Sequence, residues 1–443
     1  MRRRLLTLAA PLIAGFIVAI TLFMERDRFA RPLFRHDSDD GRLKMPELKP
    51  VLDGWCLAVS FRKHNKSLLT LLILLGAVLP AANITQHLEA ILKTQLSTLP
   101  TLECPAINST RYDALKSRRP SDPAVQYFFA LNLRQNLPLL PQLIGSIVEA
   151  IRFLGPTQCV LSIVEGNSPD GTADVLVALQ PALESIGITY YFESSAIDPS
   201  KKDRVERLAQ LRNKALAPLL DLHDKATSTT TVIFLNDVSA CAEDILELVH
   251  QKRALGADMT CAMDWTYAGE HPTFYDVWIA RTINGDSFFE IPPDGNWDSA
   301  WNLFWNADET RNRFSMQRPF QVFSCWNGAT AFTARPILEK SVEFRAANET
   351  AGECRQGEPQ LFCKDLWFKG YRKIAVVPSV NLEYSVEKAK KIKEAKGFSS
   401  DTVSKQDPAG DKIDWRLDPP NKVKCMPVWA NQYWQSWNET LKP

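Results

Sequence analysis

From residue 127 onward, short apolar runs alternate with longer stretches whose apolar residues recur at helical spacing. The runs at 127–133, 159–165, 188–192, 231–235 and 259–263 predict strands, and the stretches near 138–153, 172–186, 203–219 and 242–254 predict the helices between them. Strands apolar throughout and separated by helices predict an α/β architecture: a Rossmann-like, mostly parallel sheet with helices on both faces. Such sheets bind ligands beyond the carboxyl ends of their strands, so the residues just after each strand are the first candidates for chemistry. After Asp264 the alternation gives way to a Trp-, Asn- and Asp-rich stretch ending near Arg318, and a second apolar pattern then runs to Tyr384.

Two further apolar runs precede this body. Arg2, Arg3 and Arg4 stand ahead of the run 5–23, which as a helix would be about 28 Å long and enough to cross a hydrocarbon core. No small-residue cleavage site follows, and Glu25-Arg26-Asp27-Arg28 closes the run, which predicts an uncleaved signal anchor. The second run, 67–82, follows a basic cluster but would span only about 24 Å, and is expected to be a lumenal or interfacial helix. Residues 25–50 read as a tether, and Leu88, Ile91, Leu92 and Leu96 give 86–99 the apolar face of a stem helix.

Composition narrows the chemistry. Against 52 Lys and Arg stand 51 Asp and Glu, a net charge of +1, so a nucleic-acid partner held by counterion release is not expected. The six His are scattered, with no His-Glu-x-x-His, and none of the nine Cys forms a Cys-x-x-Cys pair. The phosphate-binding loop, the dinucleotide fingerprint and the Gly-x-Ser-x-Gly elbow are all missing from the chain.

The strand ends supply the candidate site. The second strand runs into Glu165-Gly166-Asn167-Ser168-Pro169-Asp170-Gly171-Thr172, where Glu165 and Asn167 either meet a ribose or base edge or simply shape a turn. The fourth strand runs into Asn236-Asp237-Val238. There Asp237 either binds a divalent cation that neutralises a diphosphate leaving group or caps the next helix. Asp264 likewise ends an apolar run. Arg212, bordering the apolar face of the helix before the fourth strand, either forks onto phosphate oxygens or pairs with a surface acid such as Glu206. Glu358 precedes Pro359 and so should begin a helix, where it either stabilises the helix or holds an acceptor hydroxyl.

Several blocks carry a resemblance: Phe234-Leu-Asn-Asp-Val, Ala262-Met-Asp-Trp, Phe274-Tyr-Asp-Val-Trp-Ile-Ala-Arg, Pro319-Phe-Gln-Val-Phe-Ser-Cys-Trp-Asn-Gly, Phe362-Cys-Lys-Asp-Leu-Trp and Val377-Pro-Ser-Val-Asn-Leu-Glu-Tyr. In this order they resemble the fungal cryptococcal α-1,3-mannosyltransferase family, which also includes capsule-associated proteins. The resemblance implies a GT-A-type fold and transfer of mannose from GDP-mannose to a mannoside acceptor, with Mn2+ or Mg2+. Asn236-Asp237-Val238 then stands in place of the metal-binding Asp-x-Asp, with Asp237 its single carboxylate. Asn236, Arg212, Glu165 and Asn167 are expected around the donor, and Asp264 and Glu358 at the reacting centre; Asp276 and Cys325-Trp326-Asn327-Gly328 match family blocks without assigned roles. A glycosyltransferase using UDP-xylose or UDP-glucose, or a noncatalytic secretory scaffold, are the competing readings.

The implied organisation is a cytosolic tip and anchor at 1–24, tether and stem at 25–120, catalytic domain at 121–385, and a Lys-rich helix with a Pro/Trp-rich tail at 386–443. The expected setting is a type II membrane protein of the secretory pathway, in the Golgi, with its body in the lumen. Sequons at Asn65, Asn83, Asn108, Asn348 and Asn438 suit that topology. An oxidising compartment predicts at least one disulfide, with Cys354–Cys363 and Cys104–Cys425 as the expected pairs.

Overall fold

The apolar runs do form strands, and they join in one ten-stranded sheet. A computed structural model describes residues 81–93, 97–116, 124–201, 203–222 and 224–441. The anchor run 5–23, the tether and residues 67–80 of the second apolar run lie outside the described residues. The strands are β1 (Val125–Leu133), β2 (Cys159–Glu165), β3 (Thr189–Ser194), β4 (Ala226–Leu235), β5 (Met259–Ala268), β6 (His271–Phe274), β7 (Arg281–Thr282), β8 (Phe320–Ser324), β9 (Ala329–Thr333) and β10 (Ile374–Leu382), followed by a separate hairpin of β11 (Lys422–Val428) and β12 (Asn431–Ser436). The sheet order is β3-β2-β1-β4-β9-β5-β10-β8-β7, with β6 paired to β5. Pairing is parallel from β3 through β4 and between β5 and β10, whereas β9 is antiparallel to both of its neighbours.

The helices of eight or more residues are α1 (Ala81–Leu92), α2 (Leu140–Leu154), α3 (Thr172–Ser185), α4 (Arg204–Asp221), α5 (Ala242–Ala254), α6 (Asp308–Ser315), α7 (Glu358–Phe368) and α8 (Val386–Lys396). The period of two along each strand splits the interior into two cores. Phe128, Ala130, Val232 and Phe234 face Ala215 and Leu219 of α4 and Phe362 of α7. Phe129, Leu131, Ile233 and Leu235 face Ile144 and Ile147 of α2 and Leu246 of α5. Each buried Val, Leu, Ile or Phe among these contributes about 1.5–3 kcal/mol, and burial on both faces explains why the strands read as unbroken apolar runs. The segment Leu137–Leu154 has the length and hydropathy to cross a membrane, yet is 72% buried. It is apolar because it is a core helix.

Three expectations need correction. The stem helix covers Ala81–Leu92 rather than 86–99; it ends because Lys93 takes a left-handed conformation, φ 55°. The strand containing Asp264 does not end there. It continues to Ala268 because Trp265–Ala268 pair with β6, so Asp264 lies within β5 opposite Leu382 of β10. The disulfides are Cys104–Cys241, Cys261–Cys325 and Cys354–Cys425, with Cα separations of 5.6, 6.2 and 5.9 Å. The expected pairs fail because Cys363 is buried on α7 with its thiol directed at the Cys325 carbonyl oxygen, 3.4 Å away. Cys425 instead meets Cys354, while Cys104 meets the residue that caps α5.

Candidate active site

The end of β4 is tied to three other residues through Asn236. The Asn236 backbone N–H donates to the Gly328 carbonyl at 2.8 Å. Its side-chain Oδ1 accepts from Trp326 Nε1 at 3.0 Å and from Arg212 Nη1 at 3.2 Å. Arg212 sits on the apolar face of α4, buried, with Nε donating to Glu358 Oε1 at 2.9 Å. Its guanidinium carbon lies 4.6, 5.1 and 5.6 Å from the ring centroids of Trp326, Phe234 and Phe344. A buried cation this enclosed needs a partner of opposite charge, and α7 supplies one by starting with Glu358. Arg212 therefore pairs with no surface acid, and two of its donors are spent on the protein. Glu358 stands behind the guanidinium and is itself buried.

Asp237 follows directly and is half-buried. Its Oδ2 accepts from Asn136 Nδ2 at 3.2 Å. Asn136 is held in turn: its N–H donates to Thr172 Oγ1 at 3.0 Å, and its Oδ1 accepts from the Arg134 N–H at 2.8 Å. Asp170 accepts from the N–H and hydroxyl of Thr172 and from the Leu137 N–H. The turn after β2 thus fixes the loop after β1, which fixes Asp237. Within that turn Glu165 is buried and accepts from the Ser168 N–H at 2.7 Å and the Ser194 hydroxyl at 3.2 Å, so it braces the turn. Asn167 is exposed, in a left-handed conformation with φ 57°. Asp237 caps no helix: α5 begins five residues later, with Asp244 accepting from the Cys241 N–H at 2.8 Å. Burial pushes the Asp237 carboxyl up from its ordinary value, opposed by Asn136 and by the charges of Arg212 and Arg204.

A second acidic group lies at β5. Asp264 is fully buried; Tyr384, just past β10, donates its hydroxyl to Oδ2 at 2.6 Å, and Oδ1 has no hydrogen-bond partner among the described residues. Asp276, after β6, accepts from the Asn327 N–H at 2.9 Å. Burial and the neighbouring Asp276 hold the Asp264 carboxyl well above the usual range, and burial pushes Asp276 up to about 6. The turn 325–328 ties these parts together: Asn327 Nδ2 donates to the Ala262 carbonyl at 2.8 Å, and Cys325 is bridged to Cys261. Gly328 has φ 82°, and a Cβ there would lie 3.0 Å from Val238 Cγ1 and 3.3 Å from Asp264 Cβ, so the position requires glycine.

The structure brings Asn236, Asp237, Arg212 and Glu358 together and joins Asp264 to them through the turn 325–328. Sequence reasoning missed Asn136, Tyr384 and the bracing role of Trp326. The signal for Asn136 is its position just beyond the first strand, at the same edge as the other candidates. Among the described residues no group of three or more His, Cys, Asp or Glu forms a metal cage. The Asp237 carboxylate is a hard oxygen donor, and it suits an ion that keeps waters and shares substrate phosphate oxygens.

Residues 126–365 match the family model described as Cryptococcal mannosyltransferase 1. The chain belongs to this family. All the site residues named above except Tyr384 fall inside the matched region. Over 341 residues the chain is 37% identical to the alpha-1,3-mannosyltransferase CMT1 of Cryptococcus neoformans var. neoformans serotype D, covering 71% of this chain and 73% of that protein. Among solved structures, the mannosyltransferase PcManGT from Pyrobaculum calidifontis in complex with GDP-Man and Mn2+ is 13% identical, with 68% of this chain and 66% of that chain covered and a TM-score of 0.34. TarS of S. aureus is 10% identical, with 65% and 68% covered and the same TM-score. Both structural likenesses are distant.

Proposed function

We propose that the protein transfers mannose from GDP-mannose to a mannose-containing acceptor, forming an α-1,3 linkage with retention, on a GT-A-type framework. Family membership supports mannosyl transfer as the reaction class. The observation that carries the reading is Asp237: a carboxylate at the end of a central strand, spared from helix capping and oriented by Asn136. Asp237 would hold a Mn2+ or Mg2+ ion, and the chemistry so supplied would be Lewis-acid stabilisation of the diphosphate leaving group. Asp237 presents the oxygen, Asn136 sets its direction, and the Arg212–Glu358 pair holds Asn236 and hence the strand end. Asn167, exposed beyond β2, is the residue left to meet the ribose or base. Front-face attack lets the departing phosphate oxygen take the acceptor proton, so the buried Glu358 is not needed as a base.

The proposed setting is a single-pass type II membrane enzyme of the Golgi, anchored by the run 5–23 with its body in the lumen. Three disulfides support an oxidising compartment. The test is incubation of the purified protein with GDP-mannose, UDP-xylose and UDP-glucose while free nucleotide is measured. Mannoside-dependent release of GDP alone is expected, whereas release of UDP, or no release of GDP, overturns the donor assignment.

A further inference from the structure

Tyr275 and Trp278 are large aromatic residues left open to solvent, at 46% and 36% exposure, in a turn whose other apolar residues, Phe274, Val277 and Ile279, are buried. The turn is closed by the Ile279 and Ala280 N–H groups donating to the Asp276 carbonyl at 3.2 and 3.1 Å, and by the Val277 N–H on the Tyr275 carbonyl at 2.8 Å. Both rings are held by a second ring: Tyr275 lies 4.9 Å from Tyr384, and Trp278 is stacked on Trp429 at 3.8 Å. Each aromatic is therefore rigid and partly bare, an arrangement that favours a ligand with an apolar face over loss of the rings to the core.

The polar groups beside the rings narrow the ligand. Asp276 lies between the two aromatics in sequence and is not sealed in the core. The Tyr275 N–H donates to the Asp264 carbonyl at 3.1 Å, while the Tyr384 hydroxyl holds the Asp264 carboxylate. Oδ1 of that carboxylate is fully buried and has no partner among the described residues, so the carboxylate open to a ligand is that of Asp276. Asp276 accepts from the Asn327 N–H in the turn whose Trp326 holds Asn236, so the aromatic wall belongs to the same strand-end edge as the proposed donor site. A ring platform edged by acceptor oxygens fits a pyranose, which offers a face of C–H bonds and a rim of hydroxyl donors.

We propose that Tyr275, Asp276 and Trp278 form the acceptor subsite, which takes a short mannoside chain. Its reacting residue stacks on Tyr275 and donates hydroxyls to Asp276, and its next residue lies on the Trp278–Trp429 stack. This inference rests on the mannosyl-transfer reading for the identity of the sugar.

The test uses the full protein, with methyl mannoside and mannotriose as acceptors. Tyr275→Ala should raise KM about tenfold for both acceptors, and Trp278→Ala should raise it about tenfold for mannotriose and less than twofold for methyl mannoside, with KM for GDP-mannose moving less than twofold. Tyr275→Phe and Trp278→Phe keep the rings and should keep acceptor KM within about threefold, which separates loss of stacking from loss of fold. Trp301→Ala, at a residue 82% exposed, is the control and should leave acceptor KM unchanged. Mannotriose alone should quench tryptophan fluorescence in the wild type and quench it less in Trp278→Phe. Alanine variants with wild-type acceptor KM, or with donor and acceptor KM raised equally, overturn the subsite while leaving mannosyl transfer standing. Quenching through Trp278 without any release of GDP from GDP-mannose supports the subsite and overturns the donor reading instead.

Discussion

A carboxylate at a strand end is available for chemistry only where the backbone does not consume it, and Asp237 is available because Cys241 and Asp244 take over the cap of α5. Replacing it should touch the reaction and not the fold. Asp237→Ala is expected to lower turnover about a hundredfold or more, with a melting temperature close to that of the wild type. Excess chelator should produce a loss of similar size in the wild-type protein; full activity in chelator would remove the ion from the mechanism. Glu358 belongs to a different kind of residue. It neutralises a guanidinium enclosed by three rings, so Glu358→Ala strands a buried charge and should cost about 3–5 kcal/mol in chemical denaturation. Glu358→Gln keeps an acceptor for Arg212 and should cost less; equal losses would show that the ion pair is not what matters there.

At the scale of elements, the site is assembled by connections that cross the sheet. The turn 325–328 reaches Asn236 at the end of β4, Ala262 in β5 and Asp276 after β6, and Cys261–Cys325 welds it to β5. Among the described residues only Cys159 and Cys363 keep free thiols, both buried. Alkylation of denatured, unreduced protein should therefore modify Cys159 and Cys363 but not Cys261, Cys325 or the other four bridged residues, as peptide mapping would read. Alkylated Cys325 in that experiment would refute the weld. Breaking it with Cys261→Ser together with Cys325→Ser should cost about 2–4 kcal/mol of stability. Asp264 reads from sequence as a strand end because the apolar run stops at Met263, whereas β5 runs on through its pairing with β6 at Trp265–Ala268.

For the whole molecule, two acids shifted in opposite directions shape stability against pH. Burial disfavours the Glu353 carboxylate, but Arg345, the Asn348 N–H and Lys364 outweigh it and bring it down to about 2 from 4.5. Its stabilisation is present above the unfolded value of 4.5 and is lost as pH falls through about 2. Asp276 is raised from 3.8 to about 6 by burial, so the folded state holds its proton more tightly. That contribution is present below 3.8 and is lost as pH rises through about 6. Melting temperature should consequently climb between about pH 2 and 4.5 and lose part of the gain toward pH 6. Glu353→Gln should flatten the climb and Asp276→Asn the decline; unchanged profiles in calorimetry would contradict these assignments.

The amino-acid order alone determined the alternation of elements from β1 to β5, because strands buried on both faces and helices with one buried face leave different periods in the sequence. The start of α5 at residue 242 and of α3 at residue 172 could be read for the same reason. The chemical candidates were legible too: residues after apolar runs fall on one edge of any such sheet, which placed Asn236 and Asp237 correctly beyond β4. What those candidates touch was not legible. Arg212 and Glu358 are 146 residues apart, and Asn136 and Asp237 are 101 apart; no local pattern records such a meeting. The insertion of β9 between β4 and β5, the disulfide partners and the Tyr275–Tyr384 wall likewise depend on how distant segments pack. Periodicity reports which face of an element is buried, but only the folded chain decides against what it is buried, and with that which carboxylates are braced, which are shared and which remain open to a ligand.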